Sequence, residues 1–276
     1  AVKEKSLVII KLGGSIITQK SGRGMKIRQT AISQLAEEIG HFTCQHPEQP
    51  LVVVHGAGSA GHTIAKELQL TAGTRGDQKK IKGALQIRLN NQHLNSAIIS
   101  TLMEAGVPAV TIQTGTTVRQ RMGEVSTFAT RFIQDALDAN CLPVMYGEMV
   151  SDEEWGMSVC SGDTVITELV KVFPVTKIIH ATDVDGVYDK DPFKAPDARH
   201  FPRLSLDNLL NSEIADLSDS HHTADVTGGL RHKIISLATI KGNALLDKVL
   251  IINGNTPGNL GKALLGKRVG TEVSCK

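Results

Sequence analysis

Aromatic side chains are scarce: this chain of 276 residues carries one Trp, two Tyr and six Phe. Proteins that hold single-stranded nucleic acid stack bases on such rings, so a base-stacking platform is not expected. Positive charge is not in surplus either, with 30 Lys and Arg against 28 Asp and Glu and a formal net charge of +2. A nucleic-acid groove needs basic side chains massed against many phosphates, and here they are scattered; no nucleic-acid partner is expected. No apolar run reaches the ~20 residues of a membrane helix, and Ala1-Val-Lys-Glu-Lys does not open like a signal peptide. Cys44, Cys141, Cys160 and Cys275 lie far apart without a CxxC pair. They read as reduced, mostly buried thiols of a cytosolic protein. Repeats, low-complexity tracts and long linkers are missing too, so residues 1–276 are expected to form one domain, with a soft boundary near Phe173-Pro174.

What is present is an alternation of strands and helices. Short apolar, largely β-branched runs occur at Leu7–Leu12, Leu51–His55, Ala109–Gln113, Leu142–Tyr146, Lys177–Thr182 and Lys248–Ile252. Helical stretches lie between them at Gln29–Phe42, Gln78–Ala105 and Asp163–Val172, and Met149–Val159 reads as a hairpin. Continuous apolar strands alternating with helices predict an α/β fold whose mainly parallel sheet is covered on both faces. Ligands of such sheets sit beyond the carboxyl ends of the strands, where helix N-termini point.

Five strand-end or helix-start junctions are therefore the segments to examine. Lys11-Leu-Gly-Gly-Ser15 combines a compact positive charge with two glycines that let backbone approach an anion. By itself it is either a structural turn or an anion cradle, and as a strand-end charge Lys11 is expected to contribute little to the core. His55-Gly-Ala-Gly-Ser-Ala-Gly-His62 fits G-x-G-x-x-G. A dinucleotide site also requires a second strand ending in an acidic residue ~20 positions on. Asp77 has nearly that spacing but follows Leu70-Thr-Ala-Gly-Thr-Arg-Gly, which is no strand, so the loop reads as an anion cradle with His62 at the start of a helix, Thr63–Leu70. In Cys160-Ser-Gly-Asp163, Asp163 either caps its helix or serves as a carboxylate that orders cations. Thr182-Asp-Val-Asp-Gly-Val-Tyr188 fails as a calcium loop because Lys194 stands at the twelfth position, where Glu is required. It suits ribose, adenine or metal-phosphate contacts, or an ordinary turn. Asp225-Val-Thr-Gly-Gly-Leu-Arg-His-Lys233 offers two glycines at a helix N-terminus with a Lys one turn inside, an anion site by dipole and charge or a plain turn. Gly261–Lys267 is not a Walker A loop, since Arg268 replaces the magnesium-binding Ser or Thr.

Taken in this order, KLGGS, the Gly-rich second loop, SGD, TDVDGVY and DVTGG-x-x-x-K resemble the amino acid kinase family over nearly the whole chain. KLGGSIIT-x-K, the closing His62 and the DVTGG form are most similar to its isopentenyl phosphate kinase branch; fosfomycin kinase is a relative with a His in the same loop. The resemblance implies a three-layer αβα sandwich, with an acceptor-binding lobe over 1–173 and an ATP-binding lobe over 174–276, paired as a homodimer. It implies ATP as phosphoryl donor, a small phosphomonoester as acceptor, and Mg2+ arriving with ATP rather than in a protein metal cage. It places Lys11, Lys20 and Lys233 around the transferring phosphoryl group, with Asp163 organising the lysines. Ala57, Gly58, His62 and Gly162 would hold the acceptor phosphate. Gly13, Gly14, Ser15, Thr182, Asp183, Asp185, Gly186, Tyr188, Gly228 and Gly229, together with Lys11 and Lys233, would contact ATP. Ala60 stands where that branch commonly has Phe, which implies a roomier acceptor site walled by the second loop and the helix from Lys79 to Met103. A kinase for another phosphate or phosphonate, and a non-catalytic nucleotide binder of the same fold, remain as the other readings.

Overall fold

All six residues of the opening strand, Leu7–Leu12, are buried, and consecutive side chains enter different cores. Leu7 and Ile9 join Val52, Val54, Val249, Ile251 and the helix residues Val165, Ile166 and Leu169. Val8, Ile10 and Leu12 join Val53, Val144 and the helix residues Ile32, Leu35, Ile39, Leu94, Ile98 and Leu102. A strand points successive side chains to opposite faces, so two apolar clusters on one strand require helices on both sides of it. At ~1.5–3 kcal/mol for each large aliphatic side chain taken out of water, these two clusters are the main source of stability.

The computed structural model describes residues 6–19, 25–211 and 237–275. Its central sheet has eight strands in the order Arg203–Ser205, Thr271–Ser274, Lys248–Asn253, Val175–Thr182, Leu7–Leu12, Leu51–His55, Leu142–Tyr146, Ala109–Thr111. All its pairings are parallel except that between Lys248–Asn253 and Thr271–Ser274. The expected αβα sandwich is thus the observed architecture. Gln29–Gln45 and Gln78–Glu104 cover one face, and Gly162–Val172 the other.

Two expectations need correction, the start of the helix carrying His62 and the burial of the cysteines. The expected hairpin is present as Glu148–Asp152/Gly156–Cys160, in a separate four-stranded sheet with the hairpin formed by Val118–Arg121 and Glu124–Phe128. That second hairpin turns through Met122 and Gly123, both at positive φ. A two-residue turn of this kind is normally announced by Asn-Gly or Asp-Gly, and Met-Gly gives no such signal. The helix carrying His62 spans Gly58–Glu67 rather than starting after it, so the glycine loop itself forms its first turn. Of the cysteines only Cys160 is buried; Cys44 is exposed, Cys141 and Cys275 are partly so, and all four are free thiols. On the long helix Gln78–Glu104, Leu85 is solvent-facing, whereas Asn91 and Asn95 are inside. The buried stripe runs Ala84, Ile87, Asn91, Leu94, Asn95, Ile98, so two asparagines supply internal hydrogen-bond partners while Gln86, Gln92 and His93 stay exposed. Among the described residues no helix is long and apolar enough to cross a membrane.

Candidate active site

Parallel register brings the carboxyl ends of the central strands to one edge. Lys11 lies beside His180, Leu12 beside both Ala181 and His55, His55 beside Tyr146, and Thr182 beside Asn253. The hydrogen-bond ladder continues one residue past the strands. Gly13 N donates to Ala181 O at 2.9 Å, Gly56 N to Leu12 O at 3.0 Å, Gly147 N to His55 O at 3.1 Å and Gly254 N to Thr182 O at 2.8 Å. The loops that follow are therefore held side by side by the sheet itself.

Where two of these loops meet, only glycine fits. A Cβ on Gly14 would lie 2.9 Å from both N and Cα of Gly58, which itself has φ +71°. Backbone-to-backbone contact of this kind leaves amide groups, not side chains, lining the space between the first and second loops. The third loop closes in from the other side: a Cβ on Gly147 would lie 2.9 Å from Gly162 N, and one on Gly162 would lie 3.6 Å from Cε of Lys11.

Lys11 and Asp163 form an ion pair at this convergence, and each residue is only 8% exposed. The alternative role for Asp163, capping its helix, belongs to Ser161, whose Oγ accepts from Thr164 N at 3.0 Å. That leaves the Asp163 carboxylate in the first turn for the lysine. Lys11 is correspondingly not the core-neutral strand-end charge expected from sequence: it is a buried cation with a buried partner.

The fourth loop sits beside the first. Thr182 is buried, its hydroxyl accepting from Val184 N and lying 3.3 Å from Ile252 O. Asp185 is exposed and accepts from Asn253 Nδ2 at 3.0 Å. Gly186, at φ +145°, passes against the Thr271 side chain. Tyr188 stacks at a tilt on His200, centroids 5.1 Å apart, and burial, then the neighbouring Asp185, pushes its phenol pKa up. Arg28, which no sequence signal singled out, ties this region to the first: Nη1 donates to Ser15 O at 3.2 Å and to Asn255 Oδ1 at 2.9 Å. Asn253 and Asn255 carry no sequence signal either, because a lone polar residue after a strand has no distinguishing pattern.

Lys11, Gly13, Gly14, Ser15, Ala57, Gly58, Gly162, Asp163, Thr182 and Asp183 thus fall along one edge of the sheet. His62 is exposed, one turn into the helix that starts at Gly58. Lys20, Gly228, Gly229 and Lys233 lie outside the described residues. Among the described residues no cluster of His, Cys, Asp and Glu has the grouping a metal ion requires.

The sequence profile described as the amino acid kinase family matches residues 6–253. An isopentenyl phosphate kinase of Methanothermobacter thermautotrophicus is 34% identical, over 98% of this chain and 100% of its own length. One of Methanocaldococcus jannaschii is 33% identical, over 97% and 98% respectively. Among solved structures, an isopentenyl phosphate kinase superposes with a TM-score of 0.79 at 30% identity, covering 96% of this chain and 99% of that one. A product complex of the Thermoplasma acidophilum isopentenyl phosphate kinase gives 0.77 at 25% identity, covering 97% and 100%.

Proposed function

Because the chain belongs to the amino acid kinase family, we propose that it is an ATP-dependent kinase that phosphorylates isopentenyl phosphate to isopentenyl diphosphate. The observation that carries this reading is the buried Lys11–Asp163 pair where the first three glycine loops converge. A phosphomonoester has its second pKa near ~6, so its oxygen is already an anionic nucleophile at neutral pH and needs no catalytic base. That oxygen attacks the γ-phosphorus of ATP in line, the bond to the β,γ-bridging oxygen breaks, and ADP leaves. Such a transfer depends on positioning and on neutralising charge over the moving group. Lys11 supplies that charge, with Lys20 and Lys233 assigned beside it, and Asp163 fixes the Lys11 ammonium. Backbone amides around Ala57, Gly58 and Gly162, with the His62 imidazole, take the acceptor phosphate. The edge from Gly13 to Ser15, the Thr182–Tyr188 loop and Gly228-Gly229 take ATP. Residues 1–173 are then the acceptor lobe and 174–276 the nucleotide lobe of a homodimeric cytosolic enzyme. ATP would bring Mg2+ on its phosphates, where the ion offsets their charge.

Acceptor use by the pure protein, followed as ADP release across a panel of phosphates, tests the reading. Isopentenyl and dimethylallyl phosphates should both be used and somewhat longer prenyl phosphates tolerated, because Ala60 leaves the second loop less bulky than Phe would. Each further buried methylene is worth ~0.8 kcal/mol, so Ala60→Phe should penalise longer chains more than five-carbon ones. Activity confined to a polar phosphate or a phosphonate would move the assignment to a different acceptor.

His62→Ala separates acceptor binding from ATP binding. A hydrogen bond to a charged group is worth ~1.5–3 kcal/mol, so kcat/KM for the acceptor should fall by about one to two orders of magnitude while KM for ATP holds. Equal losses for both substrates would make His62 a residue that shapes the loop and touches neither.

A further inference from the structure

His55, the last residue of the Leu51–His55 strand, is fully buried and stacks on Tyr146, ring centroids 5.0 Å apart. None of the motifs above uses its side chain. Its Nδ1 lies 2.9 Å from the carbonyl oxygen of Gly56, and its Nε2 lies 3.3 Å from Nδ2 of Asn95. Asn95 Oδ1 in turn accepts from the Thr111 hydroxyl at 2.5 Å. A carbonyl oxygen only accepts, so Nδ1 must carry the proton; a neutral imidazole has one N–H, so Nε2 must accept, and the amide N–H of Asn95 is there to donate. Burial lowers the His55 pKa to about 4, which keeps the ring neutral. Every bond runs in one direction: Thr111 to Asn95, Asn95 to His55, His55 to Gly56.

The consequence lies in the next peptide group. The described residues contain no cis peptide bond, and in a planar trans peptide the C=O and N–H point in opposite directions. A Gly56 carbonyl turned inward onto the buried ring therefore turns the Ala57 N–H outward, away from the core. Ala57 is the residue that precedes the Gly58–Glu67 helix, so this amide joins the free donors of the helix N-terminus.

We propose that His55 is a positioning residue for the acceptor phosphate: held as its Nδ1–H tautomer by Asn95 and Thr111, it fixes the Gly56–Ala57 peptide so that the Ala57 amide faces the incoming anion. This rests on the reading that the second loop takes the acceptor phosphate. His55 touches no reacting atom itself.

The test compares two substitutions that oppose packing to donation. His55→Phe retains a ring against Tyr146 but has no N–H. His55→Asn loses the ring yet places an amide N–H where Nδ1–H stood. With the donor controlling the loop, His55→Phe should lower acceptor kcat/KM by about 10- to 100-fold at unchanged KM for ATP, and His55→Asn should regain most of that loss. The reverse order, with Phe active and Asn impaired, would show that ring packing is what matters and overturn the proposal. Nitrogen-15 NMR of the wild-type protein reads the tautomer directly: Nδ1 should appear as the protonated nitrogen, and a protonated Nε2 overturns the proposal whatever the variants do. A wild-type protein that uses no phosphomonoester removes the acceptor reading and this inference together, whereas the wrong tautomer removes the inference alone.

Discussion

Replacing Lys11 by Met should lower turnover by about two to three orders of magnitude, the scale of losing one preorganised charge-stabilising group at a transition state. The same change has a folding cost that the sequence did not suggest. Lys11 and Asp163 are paired and nearly out of water, and taking one ion from a buried pair costs about 3–5 kcal/mol because the other stays behind. Lys11→Met should therefore unfold at markedly lower urea concentration than the parent. Adding Asp163→Asn should return part of that stability, since the buried carboxylate is then neutral as well, and none of the turnover. Urea midpoints and kcat measured on the same three proteins separate the two effects. Near-normal turnover in Lys11→Met would remove the first junction from the reaction.

Gly14→Ala should be comparably damaging to activity. The added methyl would lie 2.9 Å from backbone atoms of Gly58, and backbone on both sides cannot give way as a flexible side chain can. The first and second loops must separate, and with them the groups assigned to donor and acceptor. Misplacement of reacting groups by ~1 Å costs about 10²-fold, so kcat should fall for every acceptor with any length of tail. Gly261→Ala is the control: it lies in the Asn259–Leu264 helix, where a Cβ would meet the Glu38 carboxylate at an ordinary 3.6 Å. Alanine is the better helix former by about 1 kcal/mol, so this variant should keep full activity with equal or higher stability. Unchanged turnover in Gly14→Ala would show that the contact between the loops does not set the reaction geometry.

Features specified over a short stretch of chain are legible in the sequence, and features specified between distant residues are not. Strand and helix positions are written in local periodicity: Leu7–Leu12, Leu51–His55 and Leu142–Tyr146 were readable as strands because each is short, apolar and bounded by turn residues. Their parallel pairing followed from the helices between them, and the order of the motifs along the chain identified the family. Glycine loops at strand ends were visible for the same local reason. The hairpin through Met122 and Gly123 was not, since its turn residues lack the usual chemistry and its second strand, Glu124–Phe128, has no fully buried residue.

Pairings between distant residues were decided only by the tertiary structure. Nothing near Asp163 in the chain says whether it caps a helix or meets Lys11; the answer depends on Ser161 taking the cap and on the sheet carrying Lys11 to the same edge, 152 positions away by the numbering of the two residues. The inward turn of Asn91 and Asn95 on an otherwise mixed helix depends on Gly147 and His55 arriving opposite them, Asn91 Nδ2 donating to Gly147 O at 2.8 Å and Asn95 to His55. A buried polar group must find a partner, but the partner's identity is a property of the packed sheet. The sequence by itself determined six of the eight central strands, the glycine loops and the family; burial and register determined which charge is a buried ion, which Asn is a donor and which way the second loop presents its amides.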